Sequence, residues 1–167
     1  IVADTVAPVI TLSGPTSVNH EQGTTYTDAG ATASDSVDGS VSVTTSGTVD
    51  TATAGTYTLT YTATDSAGNA ATAVTRTVIV ADTVVPVITL SGSASVNHEQ
   101  GVAYSDAGAS ASDSVDGSVS VTTSGTVDTA TAGTYTLTYT SPLYASPGAR
   151  AMPRSRMPSA GTMHVIT

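Results

Sequence analysis

Residues 56–63 read TYTLTYTA, and this stretch decides the fold because two classes of side chain alternate along it without exception. The larger apolar and aromatic residues are Tyr57, Leu59, Tyr61 and Ala63, and a threonine stands before each of them. A period of two is typical of a β-strand with one face on a core and the other in water. The stretch therefore predicts a strand of a half-buried antiparallel sheet.

Similar runs flank this strand. PVITL begins at Pro8, SVSVTTS begins at Ser40, and AATAVTRTVIV begins at Ala70. Turn signals such as VDG at Val37 and SAGN at Ser66 separate the runs. The spacing predicts roughly seven short strands, which is typical of an immunoglobulin-like antiparallel β-sandwich in an all-β protein.

The pattern occurs twice. Residues 1–62 match residues 79–140 at 55 of 62 positions when each residue is compared with the one 78 positions later. We therefore predict two tandem sandwiches, with repeat 1 at residues 1–80 and an incomplete repeat 2 at residues 81–140. The chain starts within the pattern, at IVADT, which indicates a fragment of a longer protein.

The second repeat departs from the first after Thr140, where SPLYASPG replaces the segment that holds the last strand. Residues 141–167 contain four of the seven prolines and all three methionines. We expect disorder from Ser141 to about Ala160. A substitute strand near residues 162–167, or a strand from another molecule, would complete the second sandwich.

Three segments carry a resemblance to a known family: DTVAPVI from Asp4, the block from Tyr26 to Gly39, and GTYTLTYTATDSAGN from Gly55. They resemble the bacterial Ig-like tandem repeat first described in an insecticidal crystal protein and common in large surface adhesins. The layout is also similar to hyalin-type and polycystic-kidney-disease-type repeats. The resemblance covers residues 4–80 and, as a truncated copy, residues 82–140. It implies an extracellular or cell-surface stalk, spacer or adhesion module without catalysis.

Charge limits the partners. All 13 acidic residues and a single basic residue, Arg76, lie within residues 1–140. Such a surface would repel nucleic acid and attract divalent cations. No apolar run approaches the ~20 residues of a membrane span, so we expect no membrane insertion.

The residues do not predict an enzyme. The histidines of the repeats, His20 and His98, stand in VNHEQG before a turn, where no nucleophile and no cleft are expected. Asp35 and Asp38 would suit acid and base roles, but no pocket is predicted beside them.

Calcium is the stronger prediction for the aspartates, because it binds six to eight oxygen ligands. In an Ig-like fold, the B–C and F–G loops lie at the end where the chain enters, so aspartates of these segments and Asn69 should converge. The candidates in repeat 1 are Asp4, Asp35, Asp38 and Asp65, with Asp28 nearby; those in repeat 2 are Asp82, Asp113 and Asp116. For Asp38-Gly39 the preferred interpretation is a turn that needs a positive φ, with calcium binding as the alternative.

Three functions follow. The first is a stalk, spacer or adhesion segment whose partners are neighbouring repeats and a surface ligand that the sequence does not identify. The second is a self-assembling homo-oligomer or fibre in which a strand of one chain completes the second sandwich of another. The third is a carbohydrate-binding accessory domain, although the chain contains no tryptophan to serve as a sugar platform.

Overall fold

The computed structural model describes residues 3–142 and the backbone of residues 162–166. These residues form β-strands joined by turns and loops, with no helix among them, which confirms the predicted all-β class. The chain divides into two compact units, the first ending at Asp82 and the second beginning at Thr83. The predicted disordered segment lies, from residue 143 onward, outside the described residues.

Seven strands build the first unit. They are β1 (Val9–Leu12), β2 (Ser17–Glu21), β3 (Ala31–Asp35), β4 (Gly39–Val41), β5 (Val43–Ser46), β6 (Gly55–Ala63) and β7 (Val74–Ala81). One sheet has the order β1-β3-β4 and the other has the order β2-β7-β6-β5. Every pairing is antiparallel except that of β2 with β7, which is parallel from Ser17 opposite Thr77 to Glu21 opposite Ala81.

The core lies between the two sheets. In β6, Leu59, Tyr61 and Ala63 are buried, and the threonines between them are exposed or half-buried. Ile10 of β1 and Ala33 of β3 meet them from the other sheet. The alternation in residues 56–63 is therefore the inside and outside of the sandwich, as predicted. Burying one such aliphatic side chain stabilises the fold by about 1.5–3 kcal/mol.

The run SVSVTTS forms two strands rather than one. β4 ends at Val41 in the three-stranded sheet, and β5 begins at Val43 in the four-stranded sheet, so the chain changes sheets at Ser42. The preceding hairpin turns at Asp38-Gly39, where Gly39 has a φ of 71°. Glycine adopts this left-handed conformation without the steric cost that a Cβ atom would bring.

The second unit repeats this arrangement. Its strands are β8 (Val87–Leu90), β9 (Ser95–Val96), β10 (Ala109–Asp113), β11 (Gly117–Val119), β12 (Thr122–Ser124), β13 (Tyr135–Thr140) and β14 (Thr162–Ile166). The sheet orders are β11-β10-β8 and β12-β13-β14-β9. β14 pairs antiparallel with β13 and parallel with β9, which is the position that β7 has in the first unit. A segment of the same chain thus stands where the missing last strand would be.

Within the described residues, we find no helical segment whose length and hydropathy would let it cross a lipid bilayer.

Candidate metal centre

Three carboxylates meet at one end of the first sandwich. Asp4 lies before β1, Asp35 is the last residue of β3, and Asp65 follows β6. Because β1 and β3 are antiparallel, with Val9 opposite Ser34, the segment that enters β1 lies beside the end of β3. A carboxylate oxygen from each of the three residues lies within 4.8 Å of the others. These residues, called the acidic cluster below, were all named as candidates from the sequence.

Local hydrogen bonds fix each carboxylate. Oδ1 of Asp4 accepts from the Val6 amide at 3.0 Å. Oδ1 of Asp35 accepts from the amides of Val37 at 2.7 Å and Asp38 at 3.1 Å. These amides stabilise the ionised form, so they lower the pKa of the Asp35 carboxyl below its usual value. Asp35 is therefore held as a carboxylate whose geometry is set by the hairpin turn.

Two carboxylate oxygens of this cluster lack donors. Oδ2 of Asp4 and Oδ2 of Asp35 are shielded from solvent and accept no hydrogen bond. Asp65 is only 7% exposed, and its carboxylate accepts from the Asn69 amide at 2.7 Å and from Asn69 Nδ2 at 2.8 Å. A buried carboxylate oxygen without a donor is costly, and three negative charges at this separation repel one another. A divalent cation among these oxygens would offset both costs.

Asn69 connects this loop to the entry segment. Its Nδ2 donates to the main-chain oxygen of Asp4 at 3.3 Å as well as to Asp65. The predicted convergence of Asn69 on this end of the sandwich therefore holds. Its amide donates hydrogen bonds that position Asp65 relative to the entry segment.

Asp38 makes different contacts. Its Oδ2 accepts from the Ser66 amide at 2.6 Å, and its Oδ1 accepts from the Ser66 hydroxyl at 2.9 Å. These two bonds hold the β3–β4 turn against the loop that follows β6. Asp38 thus holds the turn beside the acidic cluster in place, whereas Asp35 is a member of the cluster.

The second unit repeats one part of the site. Asp113 Oδ1 accepts from the amides of Val115 at 2.7 Å and Asp116 at 3.1 Å, and its Oδ2 is buried without a donor, as in Asp35. Leu143 stands 78 residues after Asp65, so the sequence offers no third carboxylate at that position. Asp82 is the last residue of the first unit. Its grouping with Asp113 and Asp116 stays a prediction.

The expectation that Asp28 joins the metal-binding end is wrong. Asp28 precedes β3, and Asp35 ends it, so the length of a five-residue strand separates the two carboxylates. Asp28 instead forms a salt bridge with Arg76, whose side chain is 1% exposed. A strand of this length spans roughly 16 Å, which is too far for one ion to bridge.

Arg76 organises a buried polar network that the sequence interpretation missed. Its guanidinium donates to Asp28, to the Tyr61 hydroxyl at 3.1 Å, and to three main-chain oxygens. Those oxygens belong to Pro15 at 3.0 Å, Ser13 at 3.1 Å and Gly30 at 3.3 Å. The sequence pattern could have shown that Arg76 is buried, because Arg76 falls in the inward-facing positions of β7 with Val78 and Val80. An arginine in a buried register needs a carboxylate partner.

The network sets the ionisation of its members. Burial acts to raise the pKa of Asp28, but hydrogen bonds from Tyr61 and Arg76 and the arginine charge outweigh it, so the pKa is lowered. Burial and the hydrogen bond to Asp28 raise the pKa of Tyr61 to about 12. In the second unit, burial and Asp106 raise the pKa of Tyr139 to about 12, and its hydroxyl donates to Asp106 at 2.6 Å.

The raised pKa values of these two tyrosines predict that the protein loses stability at high pH. A tyrosine whose pKa is raised by folding stabilises the protein fully below its unfolded pKa of about 10, and this contribution is lost as pH rises towards 12. A rise of that size corresponds to about 3 kcal/mol of unfolding free energy for each tyrosine. We expect the ultraviolet absorbance of tyrosinate to show Tyr61 and Tyr139 ionising last and together with unfolding. Titration of all seven tyrosines near pH 10 in the folded protein would contradict this.

One comparison with known proteins, that with family models, agrees with this fold. A family model described as "Bacterial surface protein, Ig-like domain" matches residues 10–80 and 88–150. Among solved structures, the crystal structure of the lipoprotein BT2262 from Bacteroides thetaiotaomicron matches with 32% sequence identity and a TM-score of 0.41. That match covers 46% of this chain, and the chain spans 39% of the lipoprotein. A search among curated proteins finds no match.

The two family matches together cover well over half of the chain and correspond to the two repeats. The predicted resemblance to bacterial Ig-like surface repeats is thereby confirmed, and the chain is a module of a surface protein. It belongs to the Ig-like domain family of bacterial surface proteins.

Proposed function

We propose that the chain is a load-bearing, non-enzymatic spacer of a bacterial surface protein. The observation that carries this proposal is the parallel pairing of β2 with β7 over five residue pairs. The chain enters the sandwich through β1 in the other sheet, reaches β2 after a connection of four residues, and leaves the sandwich through β7. Tension applied to the two ends of the module acts first on the pairing of β1 with β3. Once that pairing has opened, the tension pulls β2 and β7 in opposite directions along their length.

Loading along the strands shares the force among several hydrogen bonds. In this geometry the ladder fails only when its bonds break together, whereas a pair pulled sideways opens one bond at a time. The pairing extends from Ser17 to Glu21, and the Thr77 amide adds a bond of 2.9 Å to the main-chain oxygen of Thr16. This arrangement suits a module that must remain folded under tension, which is what a spacer requires.

We further propose that calcium strengthens the same module by binding Asp4, Asp35 and Asp65. The acidic cluster connects the segment before β1 to the ends of β3 and β6, so a bound ion would link the entry segment to both sheets. Calcium suits these groups because it is a hard cation that accepts carboxylate and main-chain oxygens in flexible geometry. Extracellular modules typically bind calcium at roughly 0.1–1 mM, which matches a site with few carboxylates.

Optical-tweezers pulling in two directions tests the spacer proposal. The chain has no cysteine, so engineered pairs give unique attachment points. A Ser17→Cys and Ala81→Cys pair loads the ladder along its length, because the two residues lie at its opposite ends. A Glu21→Cys and Ala81→Cys pair loads paired residues and opens the ladder from one end.

We expect a markedly higher unfolding force for the first pair than for the second. Both variants share the Ala81 attachment and the same strands, so the direction of force is the main difference between them. Calcium should raise the force for the Ser17 pair. Equal forces in the two directions would show that the β2–β7 ladder does not carry the load.

A further inference from the structure

In the second unit, the groove between β9 and β13 keeps the residues that would bind a strand like β7. Five groups bind the Arg76 side chain in the first unit, and each has a counterpart 78 residues later. The groups at Asp28, Tyr61, Ser13, Pro15 and Gly30 correspond to Asp106, Tyr139, Ser91, Ser93 and Gly108. Ser13, Pro15 and Gly30 contribute main-chain oxygens. Every residue has such an oxygen, so the change from Pro15 to Ser93 preserves the acceptor.

The counterparts are already arranged in the second unit. The Ser91 amide donates to the Gly108 oxygen at 2.9 Å, as the Ser13 amide donates to the Gly30 oxygen at 3.0 Å. The Tyr139 hydroxyl donates to Asp106 at 2.6 Å, as Tyr61 donates to Asp28 at 2.7 Å. The acceptors of an arginine side chain therefore exist before any arginine is present.

The strand in this groove, β14, does not match these counterparts. His164 of β14 is paired with Leu137, the register position that Arg76 holds opposite Leu59. A histidine has no guanidinium and so lacks its fork of five N–H donors. Residues 83–142 contain no lysine or arginine, so no other described side chain of this unit can replace the guanidinium.

We propose that the groove between β9 and β13 is a binding site for an extended segment with an arginine opposite Leu137. The occupant is the closing strand of another copy of this repeat, with the sequence of residues 70–81. Main-chain pairing with β9 and β13 would supply affinity, and Asp106 with Tyr139 would select the arginine. The resident strand β14 fills the site in the absence of this segment.

A peptide with the sequence of residues 70–81 tests the site in the full-length chain. The resident strand competes at the high effective concentration of a tethered segment, so the test uses a Val165→Pro chain. Proline removes a main-chain donor within β14 and weakens its pairing. The matched control peptide carries alanine in place of Arg76, and binding is measured by calorimetry.

We expect the arginine peptide to bind one per chain and at least about tenfold more tightly than the alanine peptide, the effect of a single charge-assisted contact. An Asp106→Asn substitution in the same chain should remove the difference. Equal affinity of the two peptides, or binding of neither, would overturn the proposal.

A second variant keeps the proposal testable if Val165→Pro prevents the second unit from folding. His164→Arg in the otherwise unaltered chain places the guanidinium opposite Leu137. We expect the melting temperature of the second unit to rise by about 4–8 °C and the gain to vanish when Asp106→Asn is added. No rise, or an equal rise in both backgrounds, would also overturn the proposal.

Discussion

Replacing Arg76 by methionine is expected to destabilise the first unit by about 3 kcal/mol, the largest effect of any substitution considered for this chain. The substitution keeps the aliphatic volume but leaves Asp28 without its counter-ion and removes the guanidinium donor from three main-chain oxygens, of which that of Gly30 keeps the Ser13 amide. Breaking one member of a buried ion pair typically costs about 3–5 kcal/mol. We expect the lower end because Asp28 keeps 23% of its side chain exposed. Calorimetric unfolding of the full chain measures the change.

Two controls identify the cause. Asp106→Asn alters the equivalent carboxylate of the second unit, which has no arginine on its described strands, so it should have a small effect. The double variant Asp28→Asn with Arg76→Met should recover part of the lost stability, because it leaves no uncompensated charge. A loss below about 1 kcal/mol for Arg76→Met would mean that the salt bridge contributes little, as exposed pairs do.

Calcium is expected to raise the melting temperature of the first unit. At a concentration a hundredfold above the dissociation constant, a ligand that binds only the folded state adds about 2.7 kcal/mol of unfolding free energy. For a unit of this size, that corresponds to roughly 10–20 °C. The measurement is scanning calorimetry with increasing calcium, with magnesium as the control ion because it requires stricter octahedral geometry.

The effect of Asp35→Asn on stability should depend on whether calcium is present. Without the ion, the substitution relieves repulsion within the acidic cluster but weakens the amide hydrogen bonds that lower the pKa of Asp35, so stability should change little. With calcium, the same substitution removes a ligand, and the calcium-induced shift should be lost. Asp50→Asn is the matched control, because Asp50 accepts from the amide two residues later, as Asp35 does, but lies outside the cluster. The absence of any shift in the unaltered chain at about 10 mM calcium, well above typical extracellular affinities, would exclude the site.

The sequence predicted those features that follow from alternation and topology. The pattern of residues 56–63 defined β6 and its buried face, and the same argument applied to β7. The convergence of Asp4, Asp35 and Asp65 followed from knowing that the entry segment and two loops share one end of an Ig-like sandwich. These predictions succeeded because strand direction alone determines which ends lie together.

Other features depend on distances that a pattern does not contain. Asp28 was placed at the wrong end because proximity to Asp35 in sequence conceals the strand between them. β2 was not predicted, since SVNHE lacks a clear apolar face and pairs only through its main chain with β7. Arg76 was read as a charge rather than as an inward-facing residue, because its partners Asp28 and Tyr61 are distant in sequence.

The position of β7 determines the order in which a module can fold. This strand lies in the interior of the four-stranded sheet, between β2 and β6, yet it is the last strand of the unit in sequence. A chain that emerges amino terminus first cannot close its larger sheet or neutralise Asp28 until residues 74–81 have appeared. Contacts between such distant segments also form slowly. Each module therefore completes its larger sheet only after its own last strand has been released during synthesis.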